Sequence, residues 1–300
     1  MTQLSDLKLG NIVPTNNTQQ PVAPQIIRLL SYNIQVGIKT GHYRDYITAS
    51  WQHILPYQKR LENLHKISHF LKPYDLVALQ EVDGGSLRSS YINQVEFLAN
   101  YSGFPYWYHQ CNRNLGRIAQ PSNGLLAKFP VQQINNHKLP SLIPGRGAIE
   151  AILGDGDEQL KIIVAHLSLS SRARQQQVKY LADKIRGFPY LIIMGDLNCT
   201  GAELLELFSA EGVLLKTSND INNATFPSWQ PTHQYDHILV SDSIEIISET
   251  ILPNPISDHL PVALEIQLPA SILNTVTSIN HYHPVRITNG QQFHSARNKF

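Results

Sequence analysis

The chain has 300 residues, of which 42% are hydrophobic and 16% are charged, and its formal net charge is +1. This composition is typical of a globular protein. The near-neutral charge predicts no bulk electrostatic attraction to nucleic acid or to anionic membranes. The two cysteines, Cys111 and Cys199, lie far apart without metal-ligand spacing, so neither a disulfide framework nor a zinc knuckle is indicated.

The termini and the hydropathy pattern set the expected domain organisation. Residues 1–24 are polar, lack the pattern of a signal peptide, and are predicted to be a flexible segment. The sequence contains no run of about 18 or more apolar residues, so no transmembrane segment is expected. One domain is expected over residues 25–270, followed by a polar C-terminal tail over residues 271–300. We therefore expect a cytoplasmic monomer.

In the first half of the chain, apolar runs alternate with helical patterns. The first strand is predicted over Ile26–Asn33 and a helix over Tyr57–Leu71, whose apolar residues share one face. An aromatic and basic insert over residues 37–56 separates them and is either a lid or a surface loop. A buried strand is predicted over residues 75–81. The elements that follow are a short helix over 91–100 and two strands over 104–111 and 123–130.

The second half repeats this alternation. Residues 147–153 and 159–166 predict a hairpin, because Gly and Asp residues separate two apolar runs. A helix is expected to begin at Ser170 or Ser171. The remaining predicted elements are a buried strand before GDLN (195–198), a helix over Gly201–Ala210, a strand over 235–241 with a partner strand over about 244–251, and a last strand over 262–268.

Polar side chains follow the apolar runs at six predicted strand ends. They are Asn33, Glu81, His166, Asp196 with Asn198, Asp236, and Asp258 with His259. Each one alone is readily explained as a surface polar group, and GDLN alone as a turn in which Asn198 caps the next helix. Burying several carboxylates together is costly unless a cation or a histidine neutralises them. The recurrence therefore favours one shared site, whose oxygen and imidazole groups suit Mg²⁺ or Mn²⁺.

Seven short motifs, in this order, resemble those of the endonuclease/exonuclease/phosphatase family, the DNase I-like superfamily. The motifs are SYN (31–33), LQEV (79–82), NGLLAKFPV (123–131), AHL (165–167), GDLN (195–198), YDHILVS (235–241) and SDHLPV (257–262). The resemblance covers residues 26–268. It implies an α/β fold, a four-layer α-β-β-α sandwich of two mixed β-sheets with the helices outside.

The resemblance also implies roles for the polar residues. Glu81 with Asn33 resembles the principal Mg²⁺ ligands, and Asp258 an additional one. His259 with Asp236 resembles the family's histidine–aspartate dyad. The remaining implied catalytic groups are Asp196, which acts on the attacking water, Asn198, which holds a phosphate oxygen, and His166. Three further residues are predicted to bind substrate: Arg113, Arg117 and Asn123.

These assignments predict a divalent-metal-dependent phosphoester hydrolase. The favoured hypothesis is a phosphodiesterase that uses an activated water on a small-molecule or lipid phosphodiester. A nuclease acting on DNA or RNA is the first alternative, which the charge disfavours. In addition, Gln35 stands where the abasic-site nuclease branch of the family carries an Asp near the metal, which argues against a role in DNA repair. The second alternative is a catalytically silent binding module on the same fold.

Overall fold

The computed structural model describes residues 26–37, 57–142, 144–218, 224–253, 256–277 and 286–288. Several predictions fall outside these residues, and they concern the segment 1–24 and nearly all of the insert 37–56. Among the described residues, no helix has the length and apolarity needed to span a membrane.

Strands and helices alternate along the described chain. In chain order, the strands are β1 (Ile26–Asn33), β2 (Leu76–Asp83), β3 (Tyr106–Cys111), β4 (Pro121–Ala127), β5 (Gln133–Lys138), β6 (Gly147–Asp155), β7 (Glu158–His166), β8 (Leu191–Asp196), β9 (Leu215–Lys216), β10 (Asp236–Ser241), β11 (Glu245–Ile251), β12 (Val262–Gln267) and β13 (Arg286–Thr288). The helices are α1 (Tyr57–Leu71), α2 (Gln94–Ser102), α3 (Ser171–Ile185), α4 (Gly201–Ala210) and α5 (Ala270–Thr277).

The strands form two mixed sheets. The first sheet has the order β11-β12-β1-β2-β4-β3, and the second has the order β13-β5-β6-β7-β8-β10-β9. In the first sheet β1 is parallel to β2 and antiparallel to β12. In the second, β8 is parallel to β7 and antiparallel to β10. These parallel pairs direct the ends of β1 and β2, and of β7 and β8, toward polar loops.

Alternation within the strands explains the layers. In β8, Ile192 and Met194 belong to the core between the two sheets. Their neighbour Ile193 lies in a second core with α3 and α4, because successive side chains point to opposite faces. A third core joins the outer face of the first sheet to α1 and α2. The four-layer α-β-β-α sandwich is therefore confirmed, with a buried apolar interface at each of its three junctions.

The predicted partnership of the strand over residues 244–251 is wrong. That segment forms β11, but it pairs with β12 in the first sheet and not with the preceding β10. The edge of β10 is occupied by β8 on one side and by β9 on the other. The chain therefore crosses from the second sheet to the first after Ser241. The sequence of residues 235–251 looks like a hairpin and contains no feature that indicates this crossing.

The region predicted to be a polar tail contains two further elements. Helix α5 buries Ile272, Leu273 and Val276 in the core between the sheets. Beyond it, β13 pairs parallel with β5. The strand predicted over 262–268 is thus not the last one. His281 and His283, between these elements, lie outside the described residues.

A buried charged cluster supports β6 in the second sheet. Glu150 of β6 accepts hydrogen bonds from Asn135 at 2.9 Å and pairs with His137 at 3.0 Å. Lys161 of β7 pairs with the same carboxylate at 3.2 Å. Burial opposes the charge on Glu150, but His137, Lys161 and Asn135 together lower its pKa from 4.5 to about 2. The carboxylate is therefore stabilised as an anion in the folded chain.

We expect Glu150→Gln to destabilise the fold by about 3 kcal/mol at neutral pH, because Lys161 would lose its buried partner. The folded pKa is depressed, so this contribution is present above the unfolded pKa of 4.5 and is lost as the pH falls through about 2. Urea unfolding from about pH 7 to about pH 3 should show the wild-type advantage shrinking. Glu206→Gln on exposed α4 serves as the control, and a pH-independent difference would contradict the argument.

Candidate active site

Three neighbouring strands of the second sheet carry a row of ionisable side chains at one edge of the sheet, where β7 and β8 end and β10 begins. The register pairs His166 of β7 with Asp196 of β8, and Asp196 with Asp236 of β10. All three side chains are almost completely buried. The sheet alone therefore places the imidazole and the two carboxylates on adjacent strands.

Asp196 is the centre of this row. Its Oδ2 accepts a hydrogen bond at 3.0 Å from Nδ2 of Asn33, which ends β1 in the other sheet. The same oxygen lies 3.3 Å from Nε2 of His166 and 3.9 Å from Nε2 of His259. Its Oδ1 is buried and has no hydrogen-bond partner among the described residues. One carboxylate oxygen is thus held by Asn33 and His166 with His259 nearby, while the other is buried without a partner among the described residues.

Gly195 allows this close arrangement of β7 and β8. The strand continues through Gly195, which lies beside Ala165 of β7. A Cβ at position 195 would stand 1.9 Å from the carbonyl oxygen of Ala165. Only glycine permits β7 and β8 to approach at this point, immediately before His166 and Asp196.

His259 is held by a second carboxylate. Its Nδ1 lies 2.7 Å from Oδ2 of Asp236, and the hydroxyl of Thr225 donates to the same oxygen at 2.6 Å. This contact fixes the orientation of the ring and indicates that Nδ1 carries a proton, which it donates to the Asp236 carboxylate. Nε2 then faces Asp196. The structure thereby brings together the predicted histidine–aspartate pair.

The loop that carries Asp258 and His259 is anchored to the end of β1 and to the loop of Ser228. Ser257 donates its hydroxyl hydrogen to the carbonyl of Asn33 at 2.6 Å, and the same hydroxyl oxygen accepts from the His259 backbone at 3.2 Å. The carbonyl of Asp258 accepts from the Ser228 backbone at 2.7 Å. The dyad is therefore fixed relative to the end of β1.

Glu81 reaches the site through an irregularity in β2. Its φ is +54°, and the pairing of β2 with β4 shifts register between Leu79 and Val82. A bulge of this kind redirects a side chain, and the left-handed backbone costs energy for a residue with a Cβ. Glu81 consequently lies in a group with His166 and Asp196, whose ligand atoms are all within 4.8 Å of one another.

The carboxylates and imidazoles of the site shift one another's ionisation. Burial alone would raise the pKa of Asp196, but His166 and His259 hold it well below its usual range. Burial would lower the pKa of His259, whereas Asp236 and Asp196 raise it to about 10. Burial, together with the charge on Glu81, raises the pKa of Asp258 to about 6 despite the opposing effect of His259.

The donor set fits a hard divalent cation. Glu81 is half-buried and stands close to two further ligand atoms, and all available donors are oxygen or imidazole nitrogen. The charge of Glu81 also disfavours ionisation of Asp258, which is the mutual repulsion that a cation between carboxylates relieves. Of the predicted metal ligands, Asn33 donates a hydrogen bond to Asp196. His166, which was predicted to be a catalytic residue, is a member of the group of possible metal ligands with Glu81 and Asp196.

Asn198 does not cap helix α4. That position is taken by Thr200, whose side chain accepts from the Glu203 backbone. Asn198 instead has a φ of +56°, and its Nδ2 donates to the carbonyl of Leu167 at 3.0 Å. The alternative that GDLN is merely a turn with a cap is therefore wrong. The side-chain amide is held against the loop that follows His166.

Arg146 is a site residue that the sequence analysis missed. It stands half-buried just before β6. Burial lowers the pKa of Arg146 below its usual range, and the charges of Asp196 and Glu81 oppose that effect. It follows no apolar strand, so the strand-end pattern did not find it. The signal that was present is its place in Pro144-Gly145-Arg146-Gly147, at the start of a predicted strand.

The three predicted substrate-binding residues are placed differently from one another. Asn123 is fully buried and donates from Nδ2 to the carbonyl of Gly147 at 2.9 Å, where it connects β4 to the start of β6. Arg113 is exposed and lines a cavity that Arg146 also lines. Arg117 is exposed in the same loop but does not line that cavity.

Comparison with known families identifies the fold. The sequence over residues 30–259 matches the model of the Endonuclease/Exonuclease/phosphatase family. The chain belongs to this family. No curated protein matches the chain. Family membership supports phosphoester hydrolysis as the type of reaction.

Solved structures agree on the fold at low sequence identity. One is an endonuclease/exonuclease/phosphatase family protein from Bacteroides thetaiotaomicron, with 17% identity, a TM-score of 0.61, and coverage of 83% of this chain and 100% of that one. A mannosyl-6-phosphatase from Bacteroides thetaiotaomicron has 17% identity, a TM-score of 0.57, and coverage of 80% and 99%. ANGEL2, a 2',3'-cyclic phosphatase, has 14% identity, a TM-score of 0.56, and coverage of 82% and 96%.

We expect Gly195→Ala to cost about 4 kcal/mol or more, or to prevent folding, because the new Cβ would displace the Ala165 carbonyl and separate β7 from β8. Gly201→Ala is the matched control. It is in helix α4 with nearest atoms at 3.6 Å, so it should keep or slightly raise the stability. Denaturant unfolding of both variants tests this, and a wild-type midpoint for Gly195→Ala would contradict it.

Proposed function

We propose that this protein is a divalent-metal-dependent phosphodiesterase that uses an activated water on a small-molecule or lipid phosphodiester. The single observation that supports it best is the environment of Asp196. One oxygen of this buried carboxylate is held by Asn33 and His166, while Oδ1 lacks a partner among the described residues. A carboxylate fixed in this way is suited to bind and orient a water molecule.

Asp196 would act on the nucleophile. Its lowered pKa keeps it ionised, so it accepts a hydrogen bond from the water and orients it. Asp196 takes up the proton of the water only as the new phosphorus–oxygen bond forms, because the attacking oxygen then becomes strongly acidic. The water oxygen forms a bond to phosphorus on the side opposite the leaving oxygen. Asn33 and His166 keep the carboxylate oriented during this step, which avoids reorganisation of the site.

His259 would act on the charge that develops at phosphorus and at the leaving oxygen. Because Nδ1 is bonded to Asp236, Nε2 is the atom that faces the reacting groups. A protonated Nε2 donates to the phosphoryl or leaving oxygen as the phosphorus–oxygen bond breaks, and Asp236 stabilises the cation. Asn198 is proposed to hold a phosphoryl oxygen with the second hydrogen of its amide.

A metal ion would be held chiefly by Glu81, with Asn33 and Asp258 as the further proposed ligands. When bound, the cation supplies positive charge that offsets the charge on the phosphoryl oxygens. The residues themselves contribute the donor geometry through the bulge at Glu81 and the anchored loop at Asp258. Mg²⁺ and Mn²⁺ are the ions that this donor set suits.

The surroundings of the catalytic groups favour a diester. Two cavities of about 750 and 780 Å³ lie beside them and both include Leu169 in their lining. Arg146 lines the first, whereas Asn198 and Tyr235 line the second. A diester has an organic group on each side of the phosphorus, and each cavity has room for one of them. Asn123 is proposed to act indirectly, by fixing the start of β6 beside Arg146.

The nuclease alternative gains one observation from the structure. The sequence shows no clustered arginines, but the fold brings Arg113, Arg146 and Arg172 to one cavity. A local positive site can bind a phosphate backbone even in a chain of net charge +1. Plasmid nicking, assayed beside phospholipid and small phosphodiester substrates, separates the two functions.

We expect His259→Ala to lower kcat on bis-p-nitrophenyl phosphate by about 100- to 1000-fold, because the donor to the developing charge is removed. Asp236→Asn should lower kcat in the same direction through the loss of the imidazole's orienting partner. His69→Ala, an exposed histidine of α1, is the control. Circular dichroism confirms folding, and undiminished turnover by folded His259→Ala would overturn the site assignment.

We expect Mg²⁺ to raise the thermal midpoint of the wild-type protein and EDTA to reverse the rise. At about 100 times the dissociation constant, a bound ion adds about 2.7 kcal/mol of stability. Glu81→Gln should abolish this stabilisation, whereas Glu62→Gln on exposed α1 should keep it. A binding module without a metal site would show no shift in the wild-type protein, and that result would contradict the proposal.

A further inference from the structure

The cavity beside Arg146 has a composition that the hydrolysis of a simple phosphodiester does not require. It has a volume of about 750 Å³ and is lined by three arginines, Arg113, Arg146 and Arg172. No Asp or Glu is among the described residues that line it. Since one arginine beside the catalytic carboxylates is enough to contact the phosphate under attack, the other two positive charges need a different explanation.

Arg113 and Arg172 differ from the arginines that pair with other described residues. Among the described residues, neither guanidinium forms an ion pair or a hydrogen bond. By contrast, Arg174, two residues further along α3, is buried and pairs with Glu203 at 2.9 Å. The arginine that supports the fold is thus distinct from the two that line the cavity.

The two arginines are exposed and come from separate elements. Arg113 belongs to the loop after β3, where its side chain passes within contact distance of Gly145, whose φ is +128°. A Cβ at Gly145 would lie 3.6 Å from Cβ and Cδ of Arg113. Arg172 stands in the first turn of α3. The guanidiniums therefore approach the cavity from the first sheet and from α3, respectively.

Arg146 connects this cavity to the catalytic groups. It lines the cavity together with Ser168, which follows His166 by two residues, and the charges of Asp196 and Glu81 act on it. A ligand in the cavity therefore lies next to the phosphate that these residues would hold. The remaining lining is largely apolar and includes Leu142, Leu169, Pro121 and Pro144.

We propose that this cavity binds an organic group of the substrate that carries a second anionic group, a phosphate or a carboxylate, next to an apolar part. Guanidinium groups bind such anions through paired charge-assisted hydrogen bonds. Arg113 and Arg172 would bind the second anion, Arg146 the phosphate under attack, and the leucines and prolines the apolar part. This inference rests on the proposed phosphodiesterase function and narrows its substrate class.

Two pairs of soluble substrates test the proposal, and each pair differs only by one phosphate. The first pair is thymidine 5′-(p-nitrophenyl phosphate) with and without a 3′-phosphate. The second is glycerophosphoinositol with and without a phosphate on the ring. The first pair represents a nucleotide source of the anion, and the second represents a lipid headgroup. We expect kcat/KM to be about tenfold or more higher for the bisphosphorylated member of at least one pair, mainly through KM.

The double variant Arg113→Ala/Arg172→Ala, the cavity variant, should reduce the ratio of the two kcat/KM values within a pair to near one. A loss of activity that affects both members equally cancels in this ratio. The double variant Arg28→Ala/Arg186→Ala removes the same charge from exposed positions on β1 and just after α3, and it should keep the wild-type ratio. A wild-type ratio near one in both pairs overturns the proposal, as does a ratio that the cavity variant leaves unchanged. The proposal would also be overturned if the protein bound phosphatidylserine vesicles but showed no preference for the bisphosphorylated member of either substrate pair. That result would indicate that the arginines belong to a membrane-facing surface.

Calorimetric binding of thymidine 3′,5′-bisphosphate in EDTA separates this proposal from the proposed function. Binding that is about tenfold or more weaker in the cavity variant than in wild type supports the anion site even if no phosphoester is hydrolysed. Equal affinity for the two proteins overturns the anion site even if hydrolysis is observed. In that case the phosphodiesterase function stands without it.

Discussion

The buried carboxylate of Asp196 is the constraint on which both the sandwich and its site depend. An anion in this position would be unstable without partners, because desolvation opposes its charge. Its partners come from three places: Asn33 from the other sheet, His166 from the neighbouring strand, and His259 from a loop. The hydrogen bond from Asn33 therefore joins the two sheets where the proposed catalytic groups meet. Any shift between the sheets would change the ionisation of the site, which couples the packing of the core to the chemistry.

The strand ends were predictable because local and global requirements coincide there. A short apolar run such as 191–194 has to be buried on both faces, and the first polar residue after it has to lie at the rim of the sheet. The sequence therefore predicted β1, β2, β7, β8 and β10 together with the polar groups that follow them. Helices α1 and α4 were predicted with their observed bounds for a similar reason, since their apolar spacing fits one face of a helix.

The remaining features depend on pairing and approach between distant segments. Nothing in the sequence around β11 shows that β9 occupies the edge of β10, so its transfer to the first sheet was not predictable. The bulge that redirects Glu81 arises from the register with β4, and Gly195 is required by the carbonyl of a neighbouring strand. Helix α5 is different, because Ile272, Leu273 and Val276 already have helical spacing. That signal was present in a stretch whose overall composition is polar.

Arg146 shows why net charge is a poor guide to the substrate of this protein. The formal charge of +1 reports the balance of the whole chain, whereas a substrate experiences the field inside one cleft. The fold brings Arg146 within the influence of the carboxylates of Asp196 and Glu81, and it places in the same cavity two arginines that pair with none of the described residues. The carboxylate side suits metal and water, and the arginine side suits an anion. A phosphoester with a second anionic group has charges that match both sides, and an uncharged organic group would leave the arginines without a partner.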